Sequence, residues 1–175
     1  MYKNIIMIHA NIENALNKQI RIEAESSQTY LSMACWAETQ GLEGISDFMY
    51  KQADEEREHM LKLVRFVNER GGRAIVSELR APKIEFNTFQ NMFEDLYKHE
   101  LFVSKSINEL VHVTFAEQDY ATHNFLQWYV AEQIEEEAQA KNILDKINLI
   151  GDDKGGLYLF DRDIKIMATM AEAVK

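Results

Sequence analysis

The sequence predicts an all-α fold: a four-helix bundle with one long crossover connection and a short fifth helix near the C-terminal end. Three observations indicate this. All seven glycines fall at three places along the chain, and the single proline follows closely after the second place. Between these places the chain is rich in Glu, Lys, Gln, Leu, Ala and Met, which are good helix formers. We see no alternation of apolar and polar residues that would indicate a strand.

The expected helices, in chain order, span about residues 10–40, 45–70, 88–117, 120–148 and 160–172. The segment 86–150 would be about 100 Å long as one helix, so it must break. The polar stretch AEQDYATHN places that break next to Asp119, a good N-cap residue. The first and third connections are short, whereas the 16-residue segment GGRAIVSELRAPKIEF joins the second and third helices. Short, long, short is the connectivity of a bundle with one crossover.

Length and charge limit the organisation of the protein and its partners. A chain of 175 residues can form one domain, and we expect a single domain over residues 1–175. It has 29 acidic and 19 basic residues, for a formal net charge of -10. Nucleic acids and anionic membranes need basic patches, so we expect neither as a partner. The acidic balance is compatible with the attraction of cations.

The single cysteine and the N-terminal sequence indicate the thiol chemistry and the cellular location that we expect. The single cysteine, Cys35, cannot form an internal disulfide, and we expect it to be a small buried residue within the first helix. The N-terminal sequence has only the short apolar run IIMIHA, which is too short for the core of a signal peptide. No stretch is long enough to span a membrane. We therefore expect a cytoplasmic protein.

The apolar face of each long helix is interrupted near its middle by residues that can bind metals. Two intervals match, because Glu23 to Glu56 and Glu100 to Gln133 each cover 33 positions. The two helix pairs therefore resemble the halves of a repeat, which brings all these side chains to one level of the bundle. The interrupting residues are Glu23, Glu56, His59, Glu100, Gln133 and Glu136.

A metal explains this polar layer better than a satisfied polar core does. An unpaired carboxylate in an apolar interior costs several kcal/mol, and neighbouring carboxylates repel one another. No lysine or arginine lies in the same apolar stripes, whereas one or two divalent cations would neutralise the group. Oxygen ligands with one imidazole favour iron or manganese. A pair of Glu residues together with Glu-x-x-His is typical of di-iron carboxylate bundles.

Other residues near this layer allow two interpretations. Tyr30 lies two turns beyond Glu23 on the same face. It is either a core aromatic residue or a phenol that is hydrogen-bonded to a ligand and available as an electron donor. A second acidic group consists of Glu55, Glu132 and Glu135. By spacing alone, these three residues are more simply interpreted as a solvated face.

The chain resembles the non-haem bacterial ferritins over nearly its whole length. The stretches that carry the resemblance are YKHE and INEL in the third helix, NFLQWYVAEQIEEE in the fourth, and GGLY before the fifth. The longest stretch is specific enough to make a chance similarity improbable. The ferritin-like fold implied by the resemblance is the same bundle that the connection lengths predict.

The resemblance implies a ferroxidase that oxidises Fe(II) with O2 or peroxide and stores Fe(III) mineral inside a hollow homo-oligomeric shell of 24 subunits. It assigns a first iron position to Glu23, Glu56 and His59, with Glu56 bridging to a second iron. It completes the second position with Glu100 and Glu136, and Gln133 beside them. Tyr30 matches the tyrosine that the family keeps next to the diiron centre. A third iron site is implied at Glu55, Glu132, Glu135 and Glu136.

Two departures separate the chain from the haem-containing bacterioferritins. Those proteins have a second Glu-x-x-His on the fourth helix, where this chain has Gln133 and Glu136. Their haem-binding methionine follows the first bridging glutamate, where this chain has Arg57. We therefore expect no haem.

Two alternatives stay open. One is a peroxide-reducing, rubrerythrin-like diiron enzyme, although such proteins normally carry an additional cysteine-rich domain and this chain has one cysteine. The other is a shell subunit that stores or delivers iron without oxidising it. Such a subunit would lack some of the residues that bind the two iron ions. All the expected ligand positions are filled here, so we favour a ferritin with ferroxidase activity.

Overall fold

The computed structural model describes residues 8–172, and the side chains of residues 8–165. The ends of the predicted domain 1–175, including the N-terminal MYKNII, lie outside the described residues. The described residues form helices and loops without strands, and the all-α prediction is confirmed. The two ends of each of the first four helices lie within two residues of the predicted positions. The helices are α1 (Ala10–Thr39), α2 (Glu43–Glu69), α3 (Phe89–Ala116), α4 (Tyr120–Ile150) and α5 (Lys154–Glu172).

Helix α5 begins six residues earlier than expected, because a side chain caps it. The carboxylate of Asp153 accepts hydrogen bonds from the backbone N–H of Gly155 at 3.1 Å and of Gly156 at 3.0 Å. These two glycines therefore lie in the first turn of α5 and not in a loop before it. The predicted N-cap of α4 is confirmed, since Asp119 accepts from the N–H of Thr122 at 3.0 Å.

The helices pack as two close pairs, α1 with α2 and α3 with α4, while α5 packs mainly on α2. The apolar core is divided into two clusters along the bundle axis. Phe93 and Leu96 lie in one cluster, and Leu63 and Ile107 lie in the other. The level between the clusters is the level of the predicted ligands. The core is thus interrupted at the layer where polar residues interrupt all four apolar stripes.

The long crossover between α2 and α3 is anchored on α1 by side chains. Asn17 accepts a hydrogen bond from the N–H of Ile75 at 2.8 Å. Further along, Arg80 donates to Glu25 Oε2 from Nε at 3.1 Å and from Nη2 at 2.7 Å. Burial raises the pKa of Glu25, but the hydrogen bonds and charge of Arg80 outweigh it and the pKa lies below its usual value. Glu25, close to Glu23 in sequence, is therefore an anchor of the crossover.

We expect Glu25→Gln to lower the free energy of unfolding by about 1 kcal/mol at neutral pH, a small value because Arg80 is exposed. Since the folded-state pKa is depressed, the stabilisation is present above the unfolded-state pKa of about 4.3 and is lost as the pH falls through the folded-state value. Thermal unfolding of both proteins from neutral pH to about pH 3 measures this. The exposed Glu58→Gln is the control. A deficit that is equal at all pH values would contradict the assignment.

Cys35 is exposed, which corrects the expectation of a buried residue. Its neighbour Ala34 faces the core. Cys35 lies on the outer face of α1, where its Sγ is 3.9 Å from the hydroxyl of Tyr50. Among the helices of the described part of the chain, none combines the length and the apolar character that crossing a membrane requires.

Candidate metal centre

The six predicted ligands of the diiron positions lie at one level of the bundle and are all buried. They come from four helices whose antiparallel pairing aligns the interrupted stripes. The most exposed of them retains 7% of its accessible surface. The six residues are Glu23, Glu56, His59, Glu100, Gln133 and Glu136.

Glu23, Glu56 and His59 form the tightest group. One ligand atom from each lies within 4.8 Å of the other two. Nδ1 of His59 is 3.7 Å from Oε2 of Glu56, which is too long for a hydrogen bond. This Oε2 is buried and has no hydrogen-bond partner. Leaving such an oxygen unpaired is costly, and a cation between the three side chains would pair it. The donor set therefore fits a divalent cation.

The electrostatics of the layer also favour a cation. Burial raises the pKa of Glu23 well above its usual value, and the charge of Glu56 raises it further. Burial also raises the pKa of Glu56, with the charge of Glu100 as the next cause. Without a cation, burial and the neighbouring carboxylates therefore shift the carboxyl groups of Glu23 and Glu56 toward their protonated forms. A bound cation would take the place of these protons.

A hydrogen-bond chain that the sequence analysis missed orients the first group. Nε2 of Gln19 donates to Oε1 of Glu23 at 2.8 Å, and the hydroxyl of Ser106 donates to Oε1 of Gln19 at 2.6 Å. The sequence signal was available, because Gln19 lies one helical turn before Glu23 on the same face. The hydroxyl of Tyr129 donates to the carbonyl oxygen of His59 at 2.7 Å. Its place in the apolar stripe of α4 indicates only a core residue.

Glu100 lies at the centre of a second group of polar side chains. The buried phenol of Tyr30 donates to its Oε1 at 2.7 Å, and Nε2 of Gln133 lies 3.3 Å from its Oε2. The same amide nitrogen is 3.2 Å from the hydroxyl of Ser104. Burial raises the pKa of Tyr30 well above its usual value, followed by the charge of Glu100, so the phenol keeps its proton. The charge of Glu136 also raises the pKa of Glu56, which places it near the same centre.

The structure brings together two of the three residues of the second acidic group, Glu55 and Glu132. Ligand atoms of Glu55, His59 and Glu132 lie within 4.8 Å of one another, so His59 belongs to both groups. Glu55 and Glu132 are half-buried. Nε2 of Gln52 donates to Oε2 of Glu55 at 3.1 Å. Glu135 is exposed and, among the described residues, belongs to neither three-residue group.

An aromatic ring lies beside His59 and carries a lysine over its face, and no sequence pattern indicates a role for either residue. The ring centroid of Trp128 is 5.1 Å from that of His59, in an edge-to-face arrangement. The ammonium nitrogen of Lys62 lies 3.2 Å from the Trp128 centroid. Lys62 follows His59 by three positions on α2, but this spacing alone does not distinguish it from a solvated lysine.

Comparison with known proteins identifies the class. The model of the Ferritin-like domain family matches residues 13–150. A probable bacterial non-heme ferritin-like protein of Haemophilus influenzae is 44% identical over 165 residues, which are 94% of this chain and 100% of that protein. A bacterial non-heme ferritin of Campylobacter jejuni is 42% identical over 93% of this chain and 97% of its own length.

Solved structures agree with this class. The crystal structure of an open pore ferritin from Archaeoglobus fulgidus superposes with a TM-score of 0.89 at 45% identity, covering 90% of this chain and 98% of that one. The chain belongs to the ferritin family. Membership of this family supports iron storage as its general role.

Proposed function

We propose that the protein is an iron-storage ferroxidase that binds two Fe(II) ions in the polar layer and oxidises them with O2 or peroxide. The observation that carries this proposal is the unpaired, buried Oε2 of Glu56. It lies beside Glu23 and His59, and the charges of Glu100 and Glu136 also act on the Glu56 carboxyl group. A carboxylate placed in this way can contact two cations at once, as a two-metal site requires.

The chain promotes oxidation through its charges. Each Fe(II) gives one electron to O2, and two protons complete the reduction to hydrogen peroxide. The carboxylates stabilise the tripositive product more than the dipositive substrate, and their effect is large because the layer is buried. Tyr30 holds Glu100 in place by its hydrogen bond, and burial beside the carboxylates raises the pKa of its phenol so that it keeps its proton.

The onward path of iron also follows from side chains in this layer. Gln133 offers a neutral amide where a carboxylate would bind more tightly, which makes the second position the weaker one. The group of Glu55, His59 and Glu132 shares His59 with the first position and is a third iron site that accepts iron leaving it. Glu135 is exposed, and we assign it to the same exit route.

We further propose that the whole chain forms one domain and that 24 copies form a closed, haem-free shell around the stored iron. Support comes from apolar side chains that the subunit leaves exposed, since large exposed apolar areas indicate an interface. The crossover carries several of them, with Val76 at 95% exposure. The exposed apolar residues of the crossover are Ile75, Val76, Leu79 and Ile84.

Aerobic loading with excess Fe(II), followed by size-exclusion chromatography with detection of both iron and protein, tests this proposal. We expect far more iron per subunit than the two or three ions of the centre to elute with a very large particle. Elution of only these few ions with a small oligomer would instead indicate a diiron enzyme. Uptake of iron without rapid O2 consumption would indicate a storage subunit that does not oxidise.

A further inference from the structure

Within the described residues, no Cα atom of α2 comes within 8 Å of a Cα atom of α4. The two helices therefore meet through their side chains, which fill a seam between them. The seam runs beside the metal centre. It consists of four layers in which a residue of α2 meets a residue of α4. In order along the helices, these layers are Phe66 on Phe125, Lys62 on Trp128, Glu55 and His59 with Glu132, and Gln52 with Gln139.

Three of these layers are neutral or acidic, and one carries a positive charge. The rings of Phe66 and Phe125 stack at 3.7 Å, and Nε2 of Gln139 donates to Oε1 of Gln52 at 2.6 Å. These outer layers close the seam at both ends. Between them, the only lysine or arginine of the four layers is Lys62, directly next to the acidic layer.

The ring of Trp128 fixes the position of Lys62. Its ammonium lies 3.2 Å from the ring centroid, within the range in which a cation is attracted to an aromatic face. Trp128 also contacts the metal centre, because its ring centroid lies 5.1 Å from that of His59. Burial lowers the pKa of Lys62, whereas the negative charge of Glu132 opposes that shift. Lys62 is therefore a half-buried positive charge that interacts with the acidic layer.

We propose that Lys62 is a built-in countercharge that weakens the binding of divalent cations by Glu55, His59 and Glu132. This inference rests on the proposed function, in which iron passes through that group. A fixed ammonium beside the group repels an incoming cation and partly neutralises Glu132. The group then binds a cation only briefly, which suits a transfer position. Lys62 is a positioning residue in this scheme, because it contacts neither iron nor O2.

Calorimetric titration of the metal-free assembled protein with Zn²⁺ measures the effect without redox chemistry. The binding step at the acidic layer is identified as the one that Glu132→Gln removes. In Lys62→Met we expect that step to tighten about tenfold, since a nearby like charge is removed. Lys62→Arg keeps the charge and should bind as the wild type does. Lys98→Met removes a lysine that is 70% exposed on α3, and all its steps should stay within twofold of the wild type.

A second measurement reports on Lys62 directly. In a Trp36→Phe background, Trp128 is the remaining tryptophan, and its fluorescence should change as the acidic layer fills, because the cation binds His59, whose ring meets that of Trp128. With Lys62→Met the same change should occur at about tenfold lower Zn²⁺ concentration. Unchanged affinity of the acidic layer in Lys62→Met would overturn the inference. If methionine prevents assembly, Lys62→Gln provides the same comparison.

The outcomes separate this inference from the proposed function. One outcome would refute only the countercharge. Glu56→Ala would lose the Zn²⁺-binding steps of the diiron centre, while the acidic-layer step would be unchanged in Lys62→Met. If Glu56→Ala instead kept the Zn²⁺-binding steps assigned to the diiron centre, the assignment of that centre would be refuted.

Discussion

Replacement of Glu56 by alanine should abolish fast Fe(II) oxidation while leaving the assembled particle intact. Glu56 lies beside Glu23 and His59, the charges of Glu100 and Glu136 act on it, and its buried Oε2 has no hydrogen-bond partner. Without it, the two iron positions lose their shared ligand, and we expect the initial rate to fall by at least about a hundredfold, as for the loss of a catalytic metal ligand. Stopped-flow absorbance of Fe(III) formation and O2 consumption in the first seconds measure this.

Glu58→Ala is the matched control, because it removes a carboxylate from the exposed face of the same helix two positions away. It should oxidise Fe(II) at the wild-type rate. Size-exclusion chromatography of both variants shows whether assembly is preserved. The metal-free Glu56→Ala protein should be at least as stable as the wild type, since burial and neighbouring charges disfavour the ionised Glu56 carboxylate. Wild-type oxidation kinetics in Glu56→Ala would contradict the proposed centre.

The fold was predictable because glycine, proline and connection lengths are local signals. The four long helices and the crossover followed from them, and the N-cap at Asp119 was correctly placed. The start of α5 was wrong because Gly155 and Gly156 were interpreted as a break. Asp153 supplies two hydrogen bonds that hold them in a helical turn. Local propensity was thus outweighed by a capping side chain, which a count of glycines does not reveal.

The candidate ligands were predictable for a different reason, since a carboxylate in an apolar stripe is conspicuous. The structure brings Glu23, Glu56 and His59 together as the spacing implied. The supporting residues were not predictable in this way. Gln19 is a neutral residue that acts through Glu23, and the roles of Lys62 and Trp128 depend on how α2 and α4 face each other. That relation between helices is set by tertiary packing and not by the period of either helix.

Replacement of Gly44 by alanine should detach α5 from the bundle. A Cβ atom at this position would overlap the backbone carbonyl oxygen of Asp161 and come within 2.7 Å of its carbonyl carbon. Backbone atoms in a helix cannot move aside alone, so α5 as a whole must shift. The shift would break the hydrogen bond from the N–H of Ile45 to Oδ1 of Asp161, which measures 2.9 Å. It would also expose Phe160 and Ile164, which are now buried.

We expect Gly44→Ala to lower the free energy of unfolding by about 2–4 kcal/mol, from overpacking and from partial exposure of two apolar side chains. Thermal unfolding and size-exclusion chromatography measure the loss of stability and any loss of assembly. Gly155→Ala is the matched control: its Cβ would lie 3.5 Å from the Asp153 carboxylate, an ordinary contact. This control should retain wild-type stability to within about 1 kcal/mol. If both variants unfold at the same temperature as the wild type, the close approach of α2 and α5 does not determine how the fifth helix docks.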